Sequence, residues 1–148
     1  MMEQNDRRWE QRFSNFKKKK ALARLREVAG SERDVHNLSE LEREGVIQRF
    51  EYTYELAWKT LQDFLRFKGY DGIAGPNPVL TQAVQDGYLT DPTGWRAVKK
   101  ARELAAHTYE GDMAEEAVEA INKTYYSLLH QLEQRLEQER TGNQLSLF

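Results

Sequence analysis

The sequence contains no cysteine, which excludes disulfide bonds and thiolate metal sites and is consistent with a reducing cytoplasm. Its three prolines all lie between Pro76 and Pro92, so the long stretches on either side are free of this helix breaker. No apolar run approaches the roughly 20 residues that cross a bilayer, and the first ten residues are polar and charged. We therefore expect a soluble, unexported, cytoplasmic protein with no membrane partner.

An excess of charge of one sign is missing as well. The 22 lysines and arginines against 24 aspartates and glutamates leave a net charge of −2, so any contact with RNA must come from a local basic patch. His36, His107 and His130 are too scattered for a metal cluster, and no Gly-rich phosphate loop is present. We expect neither a metal nor another cofactor.

The spacing of apolar residues predicts an all-α protein. At 148 residues the chain has the size of one domain, to which we assign residues 1–140, with 141–148 as a flexible tail. A first helix is predicted from Arg7 to Ala29. It includes four consecutive lysines, Lys17 to Lys20, which form either a solvated face or an RNA contact.

The second predicted helix has the clearest boundaries. Ser39 and Glu42 fit a capping box at its start, and Gly69 marks its end. At 1.5 Å per residue it is roughly 45 Å long, so we expect it to form the spine of the fold. Its apolar stripe is widened by Trp58 and Leu65 and consists of Ile47, Phe50, Tyr54, Ala57, Leu61, Phe64 and Lys68.

Three further helices are predicted. Asn77 and Pro78 resemble the N-cap and first residue of a short helix, and Asp91 precedes Pro92 in the same way before a longer helix that Gly111 closes. The last helix starts near Asp112, runs to about Arg140 and carries Met113, Ala117, Ile121, Tyr125, Leu128, Leu132 and Leu136 on its apolar stripe. This order predicts an antiparallel up-and-down four-helix bundle with one additional short helix.

The candidate site is the segment in which Arg102, His107 and Tyr109 follow one another at intervals of five and two. A permanent cation, an imidazole that titrates near neutral pH and a phenol that can be modified suit chemistry on a phosphodiester. The same three residue types also occur together by chance on charged helices. The spacing alone leaves both interpretations open.

Helical geometry limits how these groups can cooperate. Arg102 and Tyr109 share a helix face, whereas His107 lies about 140° round from Arg102. Convergence therefore needs a loosened helix end or a symmetric dimer with this helix near its two-fold axis. Glu103 lies four residues before His107 and either orients the imidazole or forms an ordinary exposed helix pair.

From about Arg8 to Glu137 the chain resembles the nucleotidyltransferase substrate-binding family, a branch of the HEPN superfamily. The resemblance rests on residues 47–61 (IQRFEYTYELAWKTL), on Trp95, and on Arg102 followed by His107, Thr108 and Tyr109. It implies a homodimeric helical bundle that pairs with a minimal nucleotidyltransferase as a toxin–antitoxin system. In active members the Arg-x4-His motif cleaves RNA without a metal, which implies that His107 transfers the proton and Arg102 holds the phosphate.

The resemblance also implies a means of control and contains one departure. In some members the tyrosine at the position of Tyr109 receives AMP from the partner enzyme, which silences the nuclease. Related chains usually carry a small polar residue directly after the arginine, where this chain has Glu103. A carboxylate there would repel the phosphate. The alternative is therefore a non-catalytic substrate-binding subunit of a two-component nucleotidyltransferase.

The last five residues form a separate pattern. Gln144, Leu145, Leu147 and Phe148 resemble the short peptide with which bacterial replication and repair proteins bind the sliding clamp, and residues 141–143 offer a tether. Alternatively, this apolar pair of terminal residues packs against the bundle or a second subunit.

Overall fold

The computed structural model describes residues 8–17, 20–29, 35–107 and 111–142, and every regular element in these ranges is helical. Two 3₁₀ turns, Val35–Asn37 and Ala105–His107, and a π-helical segment, Ile121–Tyr125, lie among seven α-helices. These helices are α1 (Arg8–Phe16), α2 (Ala21–Ala29), α3 (Glu40–Phe67), α4 (Pro76–Gln85), α5 (Pro92–Leu104), α6 (Gly111–Ala120) and α7 (Tyr126–Thr141). The all-α class is confirmed, and none of these helices combines the length and apolar character needed to traverse a bilayer.

Helix α3 is the centre of the fold, as predicted, because it packs against each of the other six helices. Its start is fixed by the capping box, in which the Ser39 hydroxyl accepts from the Glu42 amide at 3.0 Å and Glu42 accepts from the Ser39 amide at 2.9 Å. Residues Ile47, Phe50, Tyr54, Ala57, Leu61 and Phe64 are buried, which confirms this stripe as far as Phe64. Lys68, predicted as its last member, is exposed because it caps the end of the helix. The up-and-down arrangement of four helices and the homodimer stay predictions.

The first predicted helix, Arg7 to Ala29, is wrong in one respect, because the chain breaks into α1 and α2 around Lys17 and Lys20. Phe16 and Ala21 are both buried. A five-residue step turns a continuous helix by about 140°, so one helix could not direct both residues into the same core. Lys17 ties this break to the end of α7 through its ion pair with Glu137 at 3.3 Å.

Two predicted boundaries near the site are also wrong. Helix α4 starts at Pro76 after Gly75, and Asn77 is not its N-cap, because Gly75 has a φ of 87° that suits the turn and Pro76 already has a helical φ. Gly111 does not close the fourth helix. That helix, α5, ends at Leu104, and Gly111 begins α6.

The last helix runs from α6 through the π-helical segment into α7 and ends at Thr141, close to the predicted boundary. Ile121, Leu128, Leu132 and Leu136 are buried as predicted. Met113, which the sequence predicts on the same stripe, is 55% exposed, so this part of the prediction is wrong. It lies in the first turn of α6 and its side chain is at the surface.

The end of α3 is a Schellman motif centred on Gly69, which has a φ of 107°. The Tyr70 amide donates to the Leu65 carbonyl at 3.1 Å, and the Gly69 amide donates to the Arg66 carbonyl at 3.0 Å. Only glycine adopts this backbone conformation without strain. The turn sends the chain back towards α4.

Two glycine substitutions in this part of the chain should have opposite effects. Gly69→Ala places a side chain in the left-handed region and should lower the free energy of unfolding by about 1–2 kcal/mol. Gly45→Ala lies inside α3 with no heavy atom within 4 Å of the new Cβ, and should raise it by about 0.5–1 kcal/mol. Urea unfolding followed by circular dichroism measures both, and equal effects of the two variants would contradict the Schellman assignment.

Candidate functional site

Helix α5 positions Arg102. The helix is itself fixed by a cap at its start and by buried residues in its middle. Asp91 caps the start by accepting from the Gly94 amide at 2.8 Å, and Pro92 occupies the first turn. Trp95 and Val98 are buried and anchor the helix to the core. One turn after Val98, the side chain of Arg102 faces α3.

Two glutamates of α3 hold the guanidinium of Arg102. Its Nη1 lies 3.3 Å from Oε2 of Glu51, and its Nε lies 3.3 Å from Oε1 of Glu55. The Arg102 side chain is 33% exposed, so solvent or a ligand can still reach it. Glu51 and Glu55 are one helical turn apart, which lets two carboxylates face one cation.

Glu55 has further partners. Its Oε2 accepts from the indole Nε1 of Trp58 at 3.1 Å and lies 4.0 Å from Nζ of Lys59. The sequence pattern does not by itself mark Glu51 and Glu55 as site residues. The available signal is their i,i+4 spacing beside the aromatic stripe, within the segment that carries the family resemblance.

Tyr54 lies beneath this cluster and is 2% exposed. Burial is the main cause that raises the pKa of its phenol. The negative charges of Glu55 and Glu103 raise the pKa further, and the positive charge of Arg102 acts in the opposite direction. The phenol therefore stays neutral below strongly alkaline pH and lies within electrostatic reach of Arg102.

His107 follows the end of α5 in the 3₁₀ turn and is exposed to solvent. An ideal 3₁₀ turn would change its direction relative to Arg102 from about 140° in a continuous α-helix to about 180°, and would separate the two residues by about 8 Å along the axis. Arg102 faces α3. On this geometry we expect the imidazole of His107 to leave the opposite side of the segment.

The remaining predicted site residues lie as follows. Glu103 forms an ion pair with Lys99 on the preceding turn of α5 rather than with His107. Tyr109 lies outside the described residues, so its modification stays a prediction. The tail residues Gln144, Leu145, Leu147 and Phe148 also lie outside them, and clamp binding stays a prediction too.

The other two histidines each lie beside a glutamate in different parts of the fold. His36 Nδ1 lies 3.3 Å from Glu115, and His130 Nδ1 lies 3.3 Å from Glu133. Within the ranges that the structure describes, no three His, Cys, Asp or Glu side chains are grouped so that they could hold a metal ion.

Two comparisons with known proteins bear on this site. A family model described as nucleotidyltransferase substrate binding protein like matches residues 11–138, a range that includes Glu51, Glu55 and the segment from Arg102 to Tyr109. A probable ribonuclease HepT of Haemophilus influenzae is 31% identical to this chain over 98 residues, which covers 62% of this chain and 67% of the relative.

The buried phenol generates a prediction about alkaline pH. The native state holds the Tyr54 proton more tightly than the unfolded state, whose pKa is near 10.0. The resulting stabilisation is fully present below that value and is lost as pH rises from it towards the raised pKa of the folded state. Tyr54→Phe removes the titrating group and keeps the ring, so this variant should lose less stability than the wild type between about pH 8 and about pH 11.

Urea unfolding at the two pH values measures this difference. Tyr52→Phe removes an exposed hydroxyl from the same helix and serves as the matched control, which should follow the wild type. Parallel losses in the wild type and Tyr54→Phe would show that the phenol does not titrate differently in the folded state.

Proposed function

The chain belongs to the nucleotidyltransferase substrate binding protein-like family, and from that membership we propose that it acts as the HEPN-type component of a toxin–antitoxin pair with a minimal nucleotidyltransferase. Its proposed activity is that of an endoribonuclease that needs no metal. The observation that carries this proposal is an oriented, accessible guanidinium, Arg102, that lies five residues before an exposed imidazole, His107, at the end of one helix. The relative named as a probable ribonuclease supports it.

In the proposed reaction a ribose 2′-hydroxyl attacks the adjacent phosphorus. The P–O bond to the 5′-oxygen of the next nucleotide breaks, which leaves a 2′,3′-cyclic phosphate and a 5′-hydroxyl. His107 either accepts the proton of the attacking hydroxyl or donates one to the leaving oxygen. Arg102 stabilises the charge that develops on the non-bridging oxygens.

The site needs a second copy of the chain. Because ideal helical geometry directs Arg102 and His107 to opposite sides of their segment, we propose that two segments meet at a two-fold axis and that each composite site takes groups from both protomers. Leu104, within the segment, and Met113, just after it, are 47% and 55% exposed. Apolar side chains in these positions favour burial against a partner copy.

Tyr109 is the proposed point of control. The nucleotidyltransferase would transfer AMP from ATP to the phenolic oxygen, so that a new P–O bond forms on the tyrosine, its proton is released and pyrophosphate leaves. The added phosphate carries negative charge into the place where an RNA phosphate must bind. Inhibition would therefore be both electrostatic and steric.

Substitution of the proposed catalytic residues tests the nuclease directly. His107→Ala should lower the rate of RNA cleavage by about 10²–10⁴-fold, and Arg102→Ala by about 10²–10³-fold, because they remove proton transfer and charge stabilisation respectively. Cleavage of a labelled RNA by purified protein in the presence of EDTA measures these rates. His36→Ala, which changes an exposed histidine far along the chain, is the matched control and should keep the wild-type rate.

A second candidate function has a specific observation in its favour. Glu51 and Glu55 already hold the guanidinium of Arg102, and Lys59 and Lys99 balance Glu55 and Glu103, so the cluster has no net positive charge to offer a phosphate. Such a site attracts a phosphate only weakly and suits a non-catalytic substrate-binding subunit of the transferase. A wild type that leaves RNA intact while it binds its nucleotidyltransferase would support this second candidate and contradict the nuclease.

Mass spectrometry tests the control step. After co-expression with the neighbouring nucleotidyltransferase, the intact protein should gain the mass of one or more AMP units. Tyr109→Phe should abolish this gain because it removes the accepting oxygen, whereas Tyr52→Phe, which removes another exposed tyrosine hydroxyl, should not. AMP that remains on the Tyr109→Phe variant would place the modification elsewhere.

A further inference from the structure

A groove between α4 and α5 lies beside the proposed nuclease site. Its volume is about 300 Å³, which is at the lower end of the range that holds small ligands. Its floor is apolar and includes Leu80 and Trp95, both buried, together with the partly buried Val84.

The two walls of this α4–α5 groove differ in chemistry. On α4, Asn77, Thr81 and Gln85 follow one another at four-residue intervals and are exposed, so they form a row of hydrogen-bonding groups. On α5, Arg96 and Lys99 bring positive charge to the opening. An apolar floor between amides and cations matches a nucleotide, which has a flat base and an anionic phosphate.

Arg96 is the cation that is free to meet a ligand. Within the described ranges it forms no ion pair, while Lys99 is paired with Glu103. Asp91, at the same end of α5, uses its carboxylate to cap the helix. The opening of the groove therefore carries a positive charge that the fold itself does not neutralise.

The position of the groove relative to Arg102 indicates how far along an RNA strand its nucleotide lies from the phosphate at Arg102. Lys99 lies one helical turn before Arg102, and Trp95 lies two turns before it, about 10 Å along the axis. An extended strand with one phosphate at Arg102 would reach the middle of the groove within one or two nucleotides.

We infer that the α4–α5 groove binds one nucleotide of the single-stranded RNA beside the phosphate that Arg102 holds; this rests on the proposed ribonuclease function. The base lies over the apolar floor and is read by the amides of Asn77 and Gln85. Its phosphate is bound by Arg96. The groove thereby sets the register of the strand at the cleavage site.

Charge removal at the opening tests this inference. Binding of a labelled single-stranded RNA is measured by fluorescence anisotropy in a His107→Ala background, which prevents cleavage. Arg96→Gln should weaken binding by about five- to tenfold and reduce the salt dependence of log Kd by about 0.7, the amount for one phosphate contact. Lys100→Gln removes an exposed cation one turn further along α5 that does not line the groove, and should change neither quantity.

A second measurement keeps the test independent of charge. In ¹⁵N-labelled protein the RNA should shift the side-chain amide signals of Asn77 and Gln85 and the indole signal of Trp95, and Thr81→Gln, which adds bulk to the groove without charge, should reduce these shifts. Equal weakening by Arg96→Gln and Lys100→Gln, or shifts absent from the groove, would overturn the inference. So would free AMP that shifts the same signals while RNA does not, because the groove would then serve a free nucleotide.

The outcomes separate this inference from the nuclease proposal. If the wild type cleaves RNA and Arg96→Gln binds it normally, the nuclease stands and the groove assignment fails. If RNA binds through the groove and is not cleaved, the groove assignment stands and the nuclease fails. A wild type that neither binds nor cleaves RNA overturns both.

Discussion

The burial of a broad face of α3 is the constraint on which the rest of the fold depends. This 28-residue helix is about 42 Å long, and each other helix is shorter, so several of them must cover it in succession. Its two ends are fixed locally, by the Ser39 capping box and by the turn at Gly69. The apolar stripe between them orders the neighbours, because each must place its own buried residues against it.

The polar cluster around Arg102 forms at a point where α5 crosses this central helix. Glu51 and Glu55 lie at the exposed edge of α3, next to the buried Tyr54. They form ion pairs with Arg102, which α5 directs towards them. The same contact orients the guanidinium and lowers its net positive charge. Orientation favours catalysis and charge neutralisation opposes phosphate binding, which is why two proposed functions follow from one geometry.

The features that the sequence predicts well are those set by near neighbours in the chain. The cap at Ser39, the stripe on α3 and the Asp91 start of α5 each depend on residues within a few positions of one another. The break between α1 and α2 is also encoded locally, in the five-residue step between the buried residues Phe16 and Ala21. This step is easily missed, because an approximate apolar stripe can still be drawn through both residues on one continuous helix.

The candidate site was harder to predict because its contacts join distant parts of the chain. Arg102 is about fifty residues from its partners Glu51 and Glu55, and no local pattern specifies that pairing. The direction of His107 depends on the change from α-helix to 3₁₀ turn after Leu104. Neither a glycine nor a proline marks this change in the sequence. The residue types indicated the chemistry, and the tertiary contacts decide how the groups can meet.

Glu55 lies beside the Trp58 indole and the Lys59 ammonium as well as the Arg102 guanidinium, and this has a consequence for how the arginine behaves. When the guanidinium turns towards an incoming anion, the carboxylate it leaves still has the Trp58 indole and the Lys59 ammonium beside it. The Glu55 carboxylate is therefore not left unpaired, which lowers the cost of the departure. Under the proposed ribonuclease function, Glu55 would hold Arg102 between turnovers and release it to the RNA phosphate.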